Sequence, residues 1–196
     1  TIYDIISESL INNMANEGKG FVDDYKGVRI LTIGRLVYEK GYEYAIEAAK
    51  YLKDKNIDFR WYSIGEGNLK SELEKMIIEY NLQDNFKFLG TFTNPYPFIK
   101  ECDIYCQPSR FEGFGLAIAE ARILNKPIVA TNFDIVYDQI INGENGLIAD
   151  MNGREVGKKI EILVRDNKLE QNVIDNLNNE KVGTEDEINK ILELLL

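Results

Sequence analysis

Histidine is absent from this chain of 196 residues. Its absence removes Ser-His-Asp and Cys-His nucleophile systems, a His-ligated zinc and a histidine general base from the chemistry these residues carry themselves. No Asp-x-Asp occurs either, a spacing with which two carboxylates commonly hold a divalent ion. No cofactor and no metal are therefore expected, and the available groups are carboxylates, Lys, Arg and backbone amides. There is no basic excess: 23 Lys+Arg face 33 Asp+Glu, a net charge of −10. A polyanion such as nucleic acid is excluded as a partner, because phosphate-backbone binding needs a basic face. Cysteine is limited to Cys102 and Cys106; beside a predicted strand, they read as buried reduced thiols, which points to the cytoplasm. No run approaches the roughly 18 apolar residues of a membrane span, and no signal-peptide pattern opens the chain. The first residue is Thr1 rather than Met, which reads as a segment of something longer.

What is present is an ordinary globular composition, 44% hydrophobic and 29% charged, at the length of about one large domain. Short β-rich runs alternate with helical periods, the signature of βαβ units and a parallel sheet. Strands are predicted over 28–33, 59–64, 85–89, 103–107, 127–130 and 146–149, and helices over 42–52, 69–80, 97–101, 114–125, 135–141, 153–165, 168–177 and 185–196. The fold class is thus α/β, a Rossmann-like doubly wound parallel sheet of about six strands. Residues 1–20 stand apart as a linker with a helix over 2–14, residues 21–166 form the domain, and residues 167–196 are C-terminal helices. The last of these ends in an apolar Leu-rich run that reads as docking on something outside the chain.

In such sheets ligands bind beyond the carboxyl ends of the strands, and the informative residues recur there. After the first strand come Gly34, Arg35, Lys40 and Gly41: a tight turn, two cations and a helix start. Diphosphate binding and a plain turn with solvated charges are equally good readings of this stretch. After the second strand, Gly65-Glu66-Gly67 lets the backbone approach a ligand or simply turns. After the fourth, Pro108-Ser109-Arg110-Phe111 leads into Glu112-Gly113-Phe114-Gly115-Leu116 and, eight residues after Glu112, Glu120. On a helix that spacing corresponds to a rise of about 12 Å with both carboxylates on roughly one side. A helix start between them, with glycines leaving the amides of 114–116 uncovered, favours an anion. One acid would take hydroxyls at a sugar, the other at a ribose, with a diphosphate between. Two glutamates near a helix start are also common for no reason but the helix dipole. Phe111 and Phe114 are expected in the core.

The ordered set Ile33-Gly34-Arg35-Leu36, Glu39-Lys40-Gly41, Ile64-Gly65-Glu66-Gly67, Phe88-Leu89-Gly90, the 108–120 stretch, Pro127-Ile128-Val129-Ala130-Thr131 and Asn142-Gly143-Glu144-Asn145-Gly146-Leu147 resembles the donor-binding C-terminal half of retaining GT-B glycosyltransferases, the group called family 4. The resemblance implies roles. Arg35 and Lys40 would neutralise the donor diphosphate, and Glu112 would contact the transferred sugar. Gly34, Gly65, Glu66, Ser109, Arg110, Gly113 and the backbone at Phe114, Gly115 and Leu116 would line the donor site. Glu120 would hold the ribose hydroxyls, and the base would lie near Leu89. A nucleotide-sugar donor is then the partner. A glycan or lipid-linked acceptor would bind a second, N-terminal domain that these residues do not include, and peripheral membrane association would belong to that longer protein. In place of the family's frequent Gly-Gly pair and glutamate, the chain has Asn132 to Gln139, which changes that edge of the pocket.

Three other readings stay open. A nucleotide-sugar epimerase on the same fold would be expected to show histidine in the cleft. A binding module would capture nucleotide sugar without chemistry, and a Rossmann dehydrogenase would carry the Gly-x-Gly-x-x-Gly fingerprint that the first turn lacks.

Overall fold

A computed structural model describes residues 6–184. Six parallel strands form one sheet: β1 (Val28–Ile33), β2 (Phe59–Ile64), β3 (Phe86–Gly90), β4 (Ile104–Gln107), β5 (Ile128–Thr131) and β6 (Leu147–Ala149). Their order is β3-β2-β1-β4-β5-β6. Among the described residues seven α-helices accompany them: α1 (Glu8–Ala15), α2 (Tyr42–Asp54), α3 (Lys70–Glu79), α4 (Tyr96–Glu101), α5 (Leu116–Ile123), α6 (Gly153–Arg165) and α7 (Asn167–Asn178). The predicted helix over 185–196 lies outside the described residues, as do the first residues of the one predicted over 2–14.

Successive strand residues supply opposite cores because side chains alternate across a pleated strand. Ile30 and Trp61 join one cluster with α2 and α6, while their neighbours Leu31 and Tyr62 join the other with α1, α4 and α5. The strands therefore read as near-continuous apolar runs, as a sheet covered on both faces demands. Ile6, Ile11 and Ala15 belong to the second cluster, so the segment at 6–15 is packed into the domain rather than standing off it.

Three helices end alike. Asn56, Asn81 and Asn125, one residue beyond the caps of α2, α3 and α5, each adopt φ 55°. The next amides, of Ile57, Leu82 and Lys126, reach back to the carbonyls of Leu52, Ile77 and Ala121. This is the six-to-one closure of a Schellman motif, with asparagine taking the left-handed position glycine usually fills. The chain ends of the described segment are also tied. The Ile6 amide donates to Thr184 Oγ1 at 2.8 Å, and the amides of Val182 and Gly183 donate to Glu8 Oε1 at 2.7 and 2.6 Å.

Two elements differ from expectation. The helix expected from 114 begins at Leu116, because Gly115 sits at φ 78° and forms its left-handed cap. The helix expected over 135–141 is a short 3-10 segment, Asp134–Asp138.

Candidate functional site

β1 and β4 are neighbours at the centre of the sheet. The chain leaves β1 for α2 on one face and runs from β4 to α5 on the other. This is the switch point at which a doubly wound sheet opens a crevice, and a cleft of about 400 Å³ lies there. Gly34, Arg35, Lys40, Glu112, Phe114, Gly115, Leu116 and Glu120 all line it. The two following loops are joined, since the amides of Arg110 and Phe111 donate to Glu39 O. Tyr42, at the start of α2, donates its hydroxyl to Gly34 O at 2.8 Å and fixes the first turn.

Glu112 is not helical, so the helical arithmetic for the 112–120 pair does not apply; the fold brings the two carboxylates to one cleft by placing a loop before α5. Lys40 Nζ lies 2.7 and 2.8 Å from the two Glu112 oxygens. Glu112 Oε1 also accepts from Ser109 Oγ at 2.6 Å and from Gln107 Nε2 at 2.7 Å. Behind them, the Tyr105 hydroxyl donates to Gln107 Oε1 at 2.7 Å. Burial pushes the Tyr105 hydroxyl pKa well above its ordinary range, keeping it a donor. Arg35 is exposed and makes no ion pair among the described residues. The amides at the uncapped start of α5 point their partial positive charge at the same space.

Glu120 is half-buried and lines the same cleft. Burial raises its pKa above the usual carboxylate value, opposed by the hydrogen bond it accepts from the Tyr96 hydroxyl at 3.0 Å. Burial, with the Glu120 charge, pushes the Tyr96 hydroxyl up to about 12. From behind, Gln139 Nε2 donates to the carbonyls of Phe114 and Gly115. Asn145 Nδ2 donates to Gln139 O and to Glu180 Oε1, and Glu180 Oε2 pairs with Arg122 on α5 at 2.8 Å. A hydrogen-bonded strut thus backs the loop whose front faces the cleft.

Other expected site residues fall elsewhere. Arg110 turns away: it pairs with Glu43, donates to Tyr38 O and lies 4.1 and 4.4 Å from the Tyr38 and Tyr44 ring centroids. It anchors the β4 loop to α2 and does not line the cleft. Ser109 is wholly buried and supports Glu112 instead of facing a ligand. Gly65 sits at φ 146°, where an added Cβ would collide with Gly34 O, so its part is to let the second turn lie against the first. Glu66 forms an exposed pair with Lys70 at 3.0 Å. Leu89 opens into a separate apolar cavity of about 300 Å³ with Phe92 and Phe98. Gly113 lines another, of about 530 Å³, with Gln139. Phe111, expected in the core, is 64% exposed at the rim.

The sequence reading missed Gln107, Tyr105, Tyr96 and Gln139. For Gln107 a signal exists: it is the one polar residue closing the run Ile104-Tyr105-Cys106, on a strand buried throughout. Cys102 and Cys106 are free and buried, and burial raises both thiols. Among the described residues, no three His, Cys, Asp or Glu side chains gather as a metal-binding group, and no helix is long and apolar enough to cross a membrane.

Residues 20–180 match the family described as Glycosyl transferases group 1. The poly(ribitol-phosphate) alpha-N-acetylglucosaminyltransferase of Staphylococcus aureus is 33% identical over 174 residues, covering 83% of this chain and 34% of that protein. A TarM mutant of S. aureus, in complex with Fondaparinux, alpha-GlcNAc-glycerol and UDP, matches with TM-score 0.77 and 26% identity over 97% of this chain and 43% of its own. The C-terminal domain of a group 1 glycosyl transferase, LpcC of Francisella tularensis, matches with TM-score 0.69 and 26% identity over 83% of this chain and 85% of that domain. The chain therefore spans about a third of the curated relative's length and most of the isolated domain's.

Proposed function

The chain belongs to the glycosyl transferases of group 1, and from that premise we propose that it is the donor-binding half of a GT-B enzyme that transfers a sugar from a nucleoside-diphosphate sugar, with retention, to a glycan or lipid-linked acceptor. The observation that carries the reading is a single cleft lined by two cations, a helix start and two carboxylates, the groups such a donor requires. Arg35, Lys40 and the first amides of α5 take the diphosphate, since anions are favoured where free N–H groups and cations converge. Glu112 accepts from hydroxyls of the transferred sugar, and Glu120, half-buried and backed by Tyr96, accepts from the ribose hydroxyls. The base lies toward Leu89. Gly65, Ser109, Arg110 and Gly113 shape this site without facing the donor, and Glu66 stands at its margin.

The diphosphate is the leaving group, and its growing charge is met by Arg35 and Lys40, the term that preorganised cations supply in group transfer. No metal is assigned to that task. The acceptor binds a second domain, and the whole protein works at the cytoplasmic side in glycan assembly, with peripheral membrane contact through that domain. The same site also supports a plainer reading of the isolated chain: it captures nucleotide sugar and completes no transfer alone. Titration calorimetry with UDP, GDP, ADP and their hexose conjugates tests the proposal. Micromolar to millimolar binding of one nucleotide series is expected, weakened at least about tenfold by Glu120→Ala. Failure of all of them to bind at millimolar concentration overturns it.

A further inference from the structure

The Lys40–Glu112 pair creates a conflict. Lys40 is needed by the diphosphate, yet in this structure it contacts both Glu112 oxygens. If Lys40 moved and nothing else held Glu112, a carboxylate only 9% exposed would be left without its counter-charge. It would then swing toward another donor. The residues beneath it answer this. Gln107 and Ser109 both donate to Oε1, at 2.7 and 2.6 Å. Beyond Lys40, nothing among the described residues donates to Oε2.

We propose that Gln107, with Ser109, is the positioning pair that keeps Glu112 fixed by Oε1 when Lys40 transfers to the donor, so that Oε2 is presented to the sugar. The inference rests on the donor-site reading above and deepens it. The carboxamide suits the task because its orientation is set from below. The Tyr105 hydroxyl donates to Gln107 Oε1, so the Nε2 hydrogens face upward and reach Ser109 Oγ and Glu112 Oε1. A leucine here would fill the same volume and lose every one of these bonds. A glutamate would face Glu112 as a like charge. Because Ser109 both accepts from Gln107 and donates to Glu112, the serine proton is directed at the carboxylate and not elsewhere. Thr131 fastens the Ser109 carbonyl from β5, which holds the serine in register. Gln107 reaches the wall of the cleft and Ser109 lies behind it; both spend their donors on Glu112 Oε1, and their effect on the sugar passes through Glu112.

The test separates positioning from simple structural support. Affinities for UDP, GDP and ADP, and for the hexose conjugate of whichever binds, are measured for wild type, Gln107→Leu, Ser109→Ala, Glu112→Gln and the Gln107→Leu/Glu112→Gln double variant, each with a thermal melt. The expected result is that Gln107→Leu and Ser109→Ala leave the nucleoside diphosphate within about twofold of wild type. They should remove at least about fivefold of the extra affinity contributed by the sugar, the size of a charge-assisted hydrogen bond misplaced. In the Glu112→Gln background, Gln107→Leu should change the sugar contribution no further. Ser109→Ala leaves Tyr105 its acceptor, so it reports even if Gln107→Leu does not fold. Equal loss of nucleotide and sugar-nucleotide binding, or additivity in the double variant, overturns the positioning role. Absence of any nucleotide binding by wild type overturns the donor-site reading instead.

Discussion

Glu112→Gln is expected to tighten the binding of a nucleoside diphosphate. Before Lys40 can serve the diphosphate, it must give up contacts of 2.7 and 2.8 Å to Glu112. The pair is neither fully exposed nor fully buried, at 21% for Lys40 and 9% for Glu112. Exposed pairs contribute about 0–1 kcal/mol, and truncating one partner of a fully buried pair costs about 3–5 kcal/mol. With two neutral donors remaining on Oε1, a coupling of about 1–2 kcal/mol is the appropriate size for this pair. Neutralising Glu112 removes that competition and also removes a negative charge beside the incoming diphosphate; both effects act in one direction. At about 1.4 kcal/mol per factor of ten, the gain is about 5- to 30-fold. Calorimetric titration of UDP, GDP and ADP at about 0.1 M salt, where the Debye length is about 10 Å, reads it directly. Sugar-nucleotide affinity should gain less, because the sugar loses its carboxylate. Lys40→Met in the same background should cancel the gain. Unchanged or weaker nucleotide binding by Glu112→Gln would refute the exchange of Lys40 between the two anions.

Other consequences follow from the same geometry. Glu120 has a raised pKa through burial, so folding favours its protonated form; this group's contribution to stability rises as pH falls through that raised value. Ribose hydroxyls favour the carboxylate, so nucleotide affinity should fall over the same window and binding there should release protons. Titrations in buffers of different ionisation enthalpy will detect this, and Glu120→Gln should abolish it. Gly65→Ala places a Cβ against Gly34 O at φ 146°; a loss of about 2–4 kcal/mol by denaturant melt is expected, from strain and overpacking. Gly113→Ala meets nothing within 4 Å and should be nearly neutral. Asp23 accepts from Tyr62, Arg60 and Arg29 at 2.6, 2.8 and 3.0 Å. Burial would raise its carboxyl, but these donors outweigh that and hold it well below the usual range. Its contribution is complete above the ordinary carboxylate pKa and is lost as pH falls toward the depressed folded value. Asp23→Asn should therefore flatten the acid limb of a stability curve.

The strands and the order of loops were readable because both depend on local pattern. The run from Val28 to Ile33 is apolar enough to be buried on both faces. The turns that follow β1 and β4 carry glycine and charge where a parallel sheet places ligands. The gathering of Arg35, Lys40 and Glu112 on one cleft followed from topology once the sheet was doubly wound. What the linear pattern concealed are the relations made across it. Arg110 sits inside the motif as a phosphate-binding cation would, but the Tyr38 and Tyr44 rings and Glu43 capture it. The start of α5 moved by two residues because a left-handed backbone at Gly115 costs nothing for glycine and leaves no trace in apolar periodicity. Gln107 and Gln139 reach the site only through the register of β4 and the fold of the 3-10 segment. Neither register nor fold is encoded nearby.

The tie between Ile6 and Thr184 closes a loop of 178 residues. Such closure carries an entropy cost that grows slowly with length, about 0.6 kcal/mol per doubling, and here the burial of Ile6 in the second core and the hydrogen bonds at the domain edge offset it together. Opening confined to such an edge exposes less than opening of β1 and β4, which pair at the centre of the sheet. Glu180 lies four residues before Thr184 and is the far anchor of the strut behind Phe114 and Gly115. The segment 180–184 thus fastens both the N-terminal stretch at Ile6 and Glu8 and the strut behind the cleft loop.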